Sequence, residues 1–129
     1  MQDQIEIGLE SSASFTVEEQ HSAAHIGSGT MRVLASPSMI AFMEITARRM
    51  LDEYLPKAFT TVGIRVDVRH LAACSIGSQV EVRVKVIERD RKLLVLQVDA
   101  YLGETQLGSG RHERFVINKA DFIAKLEQA

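Results

Sequence analysis

The sequence has no tryptophan, one cysteine, two prolines and only 5% aromatic residues in 129 positions. Each shortage excludes something. One thiol, Cys74, cannot close an internal disulfide, so the chain is no disulfide scaffold and suits a reducing compartment. So few aromatics leave no platform for stacking bases. Neither charge sign dominates, with 15 Lys and Arg against 17 Asp and Glu. That balance argues against binding to nucleic acid or to an anionic membrane. No apolar run nears the ~20 residues of a membrane span. The polar start Met1-Gln2-Asp3-Gln4-Ile5-Glu6 lacks the basic and apolar regions of a secretory leader. What is present, 46% hydrophobic and 25% charged residues, is ordinary globular usage. The expectation is one soluble, cytoplasmic domain over residues 1–129 with a core of its own.

The two prolines bracket the clearest helix, expected over 37–55. Ser36 is its predicted N-cap, Pro37 suits the first turn, and Pro56 stops it. Met39, Ile40, Met43, Ala47, Met50, Leu51 and Tyr54 recur at helical spacing. Strands follow. Val62, Ile64, Val66 and Val68 alternate with polar residues over Thr61–His70, as do Val80, Val82, Val84 and Val86. Glu88–Lys92 reads as a charged hairpin turn. Leu94, Leu96, Val98 and Ala100 carry the next strand, and Leu107–Ile117 the last. Glycines 108 and 110 there permit close backbone approach or a bulge. Ser14–Glu18 is a weaker strand before the helix, and Asn118 can cap a short C-terminal helix. One helix against a five-stranded antiparallel sheet is an α+β layer arrangement. Its uncovered edges predict a homodimer.

Three polar residues interrupt the apolar pattern. Glu44 lies in mid-helix beside the buried stripe, where a carboxylate suits acid–base work; the alternative is an i, i+4 pair with Arg48. His70 ends a strand on the same parity as Val62, Ile64, Val66 and Val68, which points it inward as an acid or base. Its alternative is a core-edge histidine bonded to a carbonyl. Ser36 sits at a helix N-terminus, where free N–H groups can hold an oxyanion; a pure cap is the simpler role. Other motifs carry less. His21 and His25 lack further ligands for a metal, so no metal site is expected. Gly27-Ser28-Gly29-Thr30 lacks the lysine of a phosphate loop and reads as a connecting loop. Cys74 has no activating neighbour in the sequence.

The strand, helix, four-strand order resembles the hotdog fold. Ala35-Ser36-Pro37, Met43-Glu44, Gly63, His70 and Gly108-Ser109-Gly110-Arg111-His112-Glu113-Arg114 resemble the fluoroacetyl-CoA-specific thioesterase family, from about Phe15 to Leu126. The resemblance implies a catalytic hydroxyl, Glu and His at Ser36, Glu44 and His70. It implies Gly63 near the acyl group, and at Arg114 a CoA-contacting or structural role. It further implies a homodimer with its site at the subunit interface, acting on an acyl-CoA with no cofactor beyond the coenzyme A of the substrate. Here Ser replaces the family Thr, and Pro37 the following Gly. The acyl group is left open. Two rival functions stay in view: a non-catalytic hotdog module that binds acyl-CoA or a small ligand, and an enoyl-CoA hydratase, for which no Asp/His signature is seen. Arg89, Arg91 and Lys92 could meet a CoA phosphate, or form a solvated turn.

Overall fold

The computed structural model describes residues 4–129; the first three, part of the segment read above for a leader, lie outside the described residues. Along the chain come β1 (Glu10–Thr16), a 3-10 turn (Glu19–His21), the short α1 (Ala23–Ile26), α2 (Ser36–Asp52), β2 (Phe59–His70), β3 (Gln79–Asp90), β4 (Leu93–Leu102), β5 (Thr105–Asn118) and α3 (Lys119–Gln128). All strand pairs are antiparallel, in the order β1-β3-β4-β5-β2. No helix among the described residues is long and apolar enough to cross a membrane.

α2 forms inside the proline bracket. Its buried face is Ser38, Met39, Phe42, Met43, Thr46, Ala47, Met50 and Leu51, the three- and four-residue steps of a helix. Phe42 and Thr46 belong to this face, whereas Ile40 and Tyr54 are only half-buried. Phe42 stacks on Phe15 of β1 with ring centroids 4.4 Å apart. The Thr46 hydroxyl donates to the Phe42 carbonyl at 2.8 Å, which satisfies a buried polar group.

α2 lies on the sheet and packs on β1, β2, β3 and β4. This is the hotdog arrangement. The alternation expected of β3 and β4 holds: Val80, Val82, Val84, Val86, Leu94, Leu96, Val98 and Ala100 are all buried. The β3–β4 turn is tighter than the charged stretch suggests. β3 runs to Asp90, and only Arg91 and Lys92 lie between the strands, Arg91 with φ 57°. β1 begins earlier than Ser14, because a serine-rich edge strand gains order from its partner β3 rather than from its own side chains. The two glycines of β5 do permit close approach. A Cβ at Gly108 would lie 2.5 Å from Met39 Sδ, and one at Gly110 would collide with the Asp67 carbonyl of β2.

β2 departs from simple alternation. Its register against β5 shifts between Gly63 and Arg65, which leaves Ile64 as an extra residue in a bulge. Gly63 pairs with Arg114, Val66 with His112, Val68 with Gly110 and His70 with Gly108. Val66, Val68 and His70 share the helix side, as expected. Val62 and Ile64 do not: the bulge reverses the parity and gives the helix side to Thr61 and Gly63 instead. Ile64 is 55% exposed and Val66 42% exposed along this free sheet edge.

Candidate active site

Ser36 is the first residue of α2, not its cap. Ala35 holds the N-cap position and no side chain caps the helix. The Ser36 hydroxyl is instead 2.7 Å from His70 Nδ1, across the gap between α2 and the end of β2. Nδ1 and the hydroxyl share one proton at this distance. His70 therefore bonds a hydroxyl, not a carbonyl. Its Nε2 is buried with no partner among the described residues. A cleft of about 450 Å³ opens beside the pair, walled by Val33, Ala35, Ala72 and Ala73.

Glu44 lies eight residues further along the helix, a rise of about 12 Å. It does not join Ser36 and His70 within one chain. Nor does it pair with Arg48, which bonds Asp52 at 3.0 Å. Its side chain is 40% exposed, more open than a place at the buried stripe suggests. Its Oε2 faces β5, 3.8 Å from Arg114 Nη1 and 4.0 Å from His112 Nε2. Gly63 makes room for it: a Cβ there would sit 2.8 Å from Glu44 Oε2.

Arg114 is buried, and three of its nitrogens are engaged. Nε donates to Thr61 Oγ1 at 2.7 Å, Nη2 to the Thr61 carbonyl at 2.9 Å, and Nη1 lies 3.0 Å from His112 Nε2. Burial lowers the guanidinium pKa, and Glu44 opposes the shift. Burial also lowers the pKa of His112; the bond to the Arg65 carbonyl resists, and the Arg114 charge adds to the lowering.

Sequence reasoning singled out neither His112 nor Thr61 as site residues. His112 lay within reach of it. Gly110, His112, Arg114 and Val116 alternate on β5, so the inward direction of Arg114 carries His112 with it. Thr61 could not be found, because the β2 bulge leaves no mark in the alternation. His21 lies in the 3-10 turn and His25 in α1. No group of three or more His, Cys, Asp or Glu suited to a metal occurs among the described residues. Cys74 is buried, and that burial raises its thiol pKa, away from the reactive thiolate.

The chain is similar to known proteins over most of its length. It is 33% identical over 96 residues to the fluoroacetyl-CoA thioesterase of Streptantibioticus cattleyicolor, covering 74% of this chain and 69% of that one. A solved fluoroacetyl-CoA thioesterase superposes with a TM-score of 0.90 at 28% identity, covering 95% of this chain and 96% of the other. A Thr-to-Ser mutant of that enzyme, in complex with acetyl-CoA, gives 0.90 at 29% identity, over 95% and 97%. The model of the family described as fluoroacetyl-CoA-specific thioesterase matches residues 17–120. The chain belongs to the fluoroacetyl-CoA-specific thioesterase family.

Proposed function

We propose that this thioesterase hydrolyses a small acyl thioester of coenzyme A to free acid and coenzyme A, using Ser36, Glu44 and His70. The observation that carries the reading is the 2.7 Å contact between the Ser36 hydroxyl and His70 Nδ1 at a helix start with no side-chain cap. Unclaimed N–H groups and the positive helix end favour negative charge there, so a thioester oxygen can develop as an oxyanion beside Ser36. Water attacks the carbonyl with Glu44 as base, or Glu44 attacks first and water releases the acyl group. In either route a C–O bond forms and the C–S bond breaks. His70 delivers the proton that the departing CoA sulfur takes up. Gly63 leaves space for the acyl group beside Glu44. The alanine-rich cleft suits a small acyl chain, and the acetyl-CoA complex of the serine-bearing relative supports the same size class.

The working form is a homodimer with the site at its interface. Two observations support this. Ser36 and His70 stand two helical turns from Glu44, and β2 offers a free edge with Ile64 and Val66 exposed. Two-fold pairing of β2 edges would run the strands antiparallel, so the His70 end of one meets the Gly63–Glu44 region of the partner. The lone buried Cys74, a free thiol, supports a cytoplasmic location. No cofactor beyond the substrate's own coenzyme A enters the scheme.

The test is thiol release from short and medium acyl-CoAs, fluoroacetyl-CoA included. Release is expected to fall by ~10³-fold or more in Glu44→Gln, and less in Ser36→Ala, where backbone donors remain. Wild-type-like turnover in Glu44→Gln would sink the assignment. Tight acyl-CoA binding with no thiol release would favour the binding-module reading instead.

A further inference from the structure

His112 stands behind Glu44 and has no part in the scheme above. It is 1% exposed, so both ring nitrogens need partners inside the protein. Nδ1 is 2.9 Å from the Arg65 carbonyl, which can only accept, so Nδ1 carries the proton. Nε2 is 3.0 Å from Arg114 Nη1, which can only donate, so Nε2 offers its lone pair. The surroundings thus select one neutral tautomer.

Each end of the ring bears on Glu44. The Arg65 carbonyl belongs to the residue that follows the bulge, and the bulge sets Gly63 against the carboxylate. At the other end, Nη1 sits closer to the imidazole, at 3.0 Å, than to the carboxylate, at 3.8 Å. At 3.8 Å the cation is an ion-pair partner but not a hydrogen-bond donor. Among the described residues no hydrogen bond reaches the Glu44 carboxylate. Its lone pairs stay free while a positive charge stands beside it.

We propose that His112 is a positioning residue: it holds the Arg114 guanidinium at ion-pair distance from Glu44 and keeps it from closing into a hydrogen-bonded pair. Without an acceptor at Nε2, Nη1 turns to the nearest remaining acceptor, Glu44, and occupies the lone pair that the reaction needs. Burial keeps the ring neutral at pH 7, with Arg114 adding to the effect and the Arg65 carbonyl, Glu44 and Glu113 opposing it. This role rests on the proposed hydrolysis.

Two substitutions separate positioning from packing. In His112→Asn the amide N–H can keep the bond to the Arg65 carbonyl, and nothing remains at the place of Nε2. In His112→Gln an amide oxygen can reach that place. With the best acyl-CoA of the panel, kcat of His112→Asn should fall about tenfold or more with KM nearly unchanged, and His112→Gln should recover most of the loss. Equal kcat in wild type and His112→Asn, or an equal fall in both variants, overturns the role. Ring-nitrogen NMR of the wild type is read alongside and decides the matter where His112→Asn does not fold. A protonated Nδ1 and a bare Nε2 are expected at pH 7, and the opposite tautomer overturns the role whatever the turnover. A wild type that hydrolyses no acyl-CoA overturns the hydrolysis reading and this role with it; an active wild type matched by His112→Asn overturns this role alone.

Discussion

Gly63→Ala isolates the placement of Glu44. The new Cβ would lie 2.8 Å from Glu44 Oε2, 3.1 Å from His112 Cε1 and 3.4 Å from Arg114 Nη1. His112 and Arg114 are buried and bonded at several points, so neither yields cheaply. The Glu44 carboxylate ends a flexible side chain, 40% of it exposed, and is the group that moves. To regain ordinary contact it must retreat by about 0.6 Å, beyond the ~0.5 Å within which catalytic groups are held. A fall in kcat of roughly 10- to 100-fold follows. Stability should hardly change, because losing a glycine from the unfolded chain returns ~0.4–1 kcal/mol that offsets the local strain. The assay is chromogenic detection of released CoA thiol, paired with a thermal melt. An unchanged kcat in a folded Gly63→Ala protein would refute the link between Glu44 placement and turnover. A fall in melting temperature of more than ~10 °C would show that backbone rather than side chain gives way, and would refute the reasoning differently.

Two further expectations concern stability. The His112 pKa lies below its unfolded value of 6.5, so under acid the unfolded chain takes up a proton that the folded one refuses. This contribution is complete above about pH 6.5 and is lost as pH falls, by up to ~1.4 kcal/mol per unit until the folded value is reached. Urea midpoints at pH 7.5 and 5.5 should show a smaller acid loss for His112→Gln than for wild type, and an identical loss would contradict the linkage. Gly108→Ala should act in the opposite sense to Gly63→Ala. Its Cβ would press on Met39 Sδ at 2.5 Å and Cε at 2.6 Å in the closed core, with the Arg69 carbonyl at 3.2 Å behind. An overpacking cost of ~1–3 kcal/mol is expected, seen as a lower melting temperature and relieved by the smaller core residue in Gly108→Ala/Met39→Val.

The parts legible in the sequence were those governed by strict periodicity. α2, β3 and β4 follow from apolar spacing because both faces of each element meet one kind of surroundings along their length. Glu44 stood out as a polar break within α2, Ser36 as a hydroxyl at its start, and His70 as a polar residue on the parity of Val66 and Val68 in β2. β2 shows where periodicity stops informing. The extra residue at Ile64 costs no change in composition, so the run Val62, Ile64, Val66, Val68 reads as one face when it occupies two. The consequence reached the site, since Thr61 and Gly63 turn inward only because of the bulge. Ser36 illustrates a second limit. As a residue type it fits an N-cap, but the hydroxyl takes the stronger partner that tertiary folding brings to it, His70. The Arg114–His112–Thr61 network joins β5 to β2 across 53 residues of sequence, a separation over which no local pattern operates.

The separation of Ser36 and Glu44 along one helix has a consequence for mixed assemblies. If each site takes Ser36 and His70 from one subunit and Glu44 from the partner subunit, two dead variants can restore one another. In a dimer of one His70→Ala chain and one Glu44→Gln chain, both lesions fall in the same site and leave the other whole. Unfolding and refolding an equal mixture of the two should then return about a quarter of wild-type activity, from parents that have almost none. Sites built within single chains would return nothing, since every chain in the mixture carries a lesion.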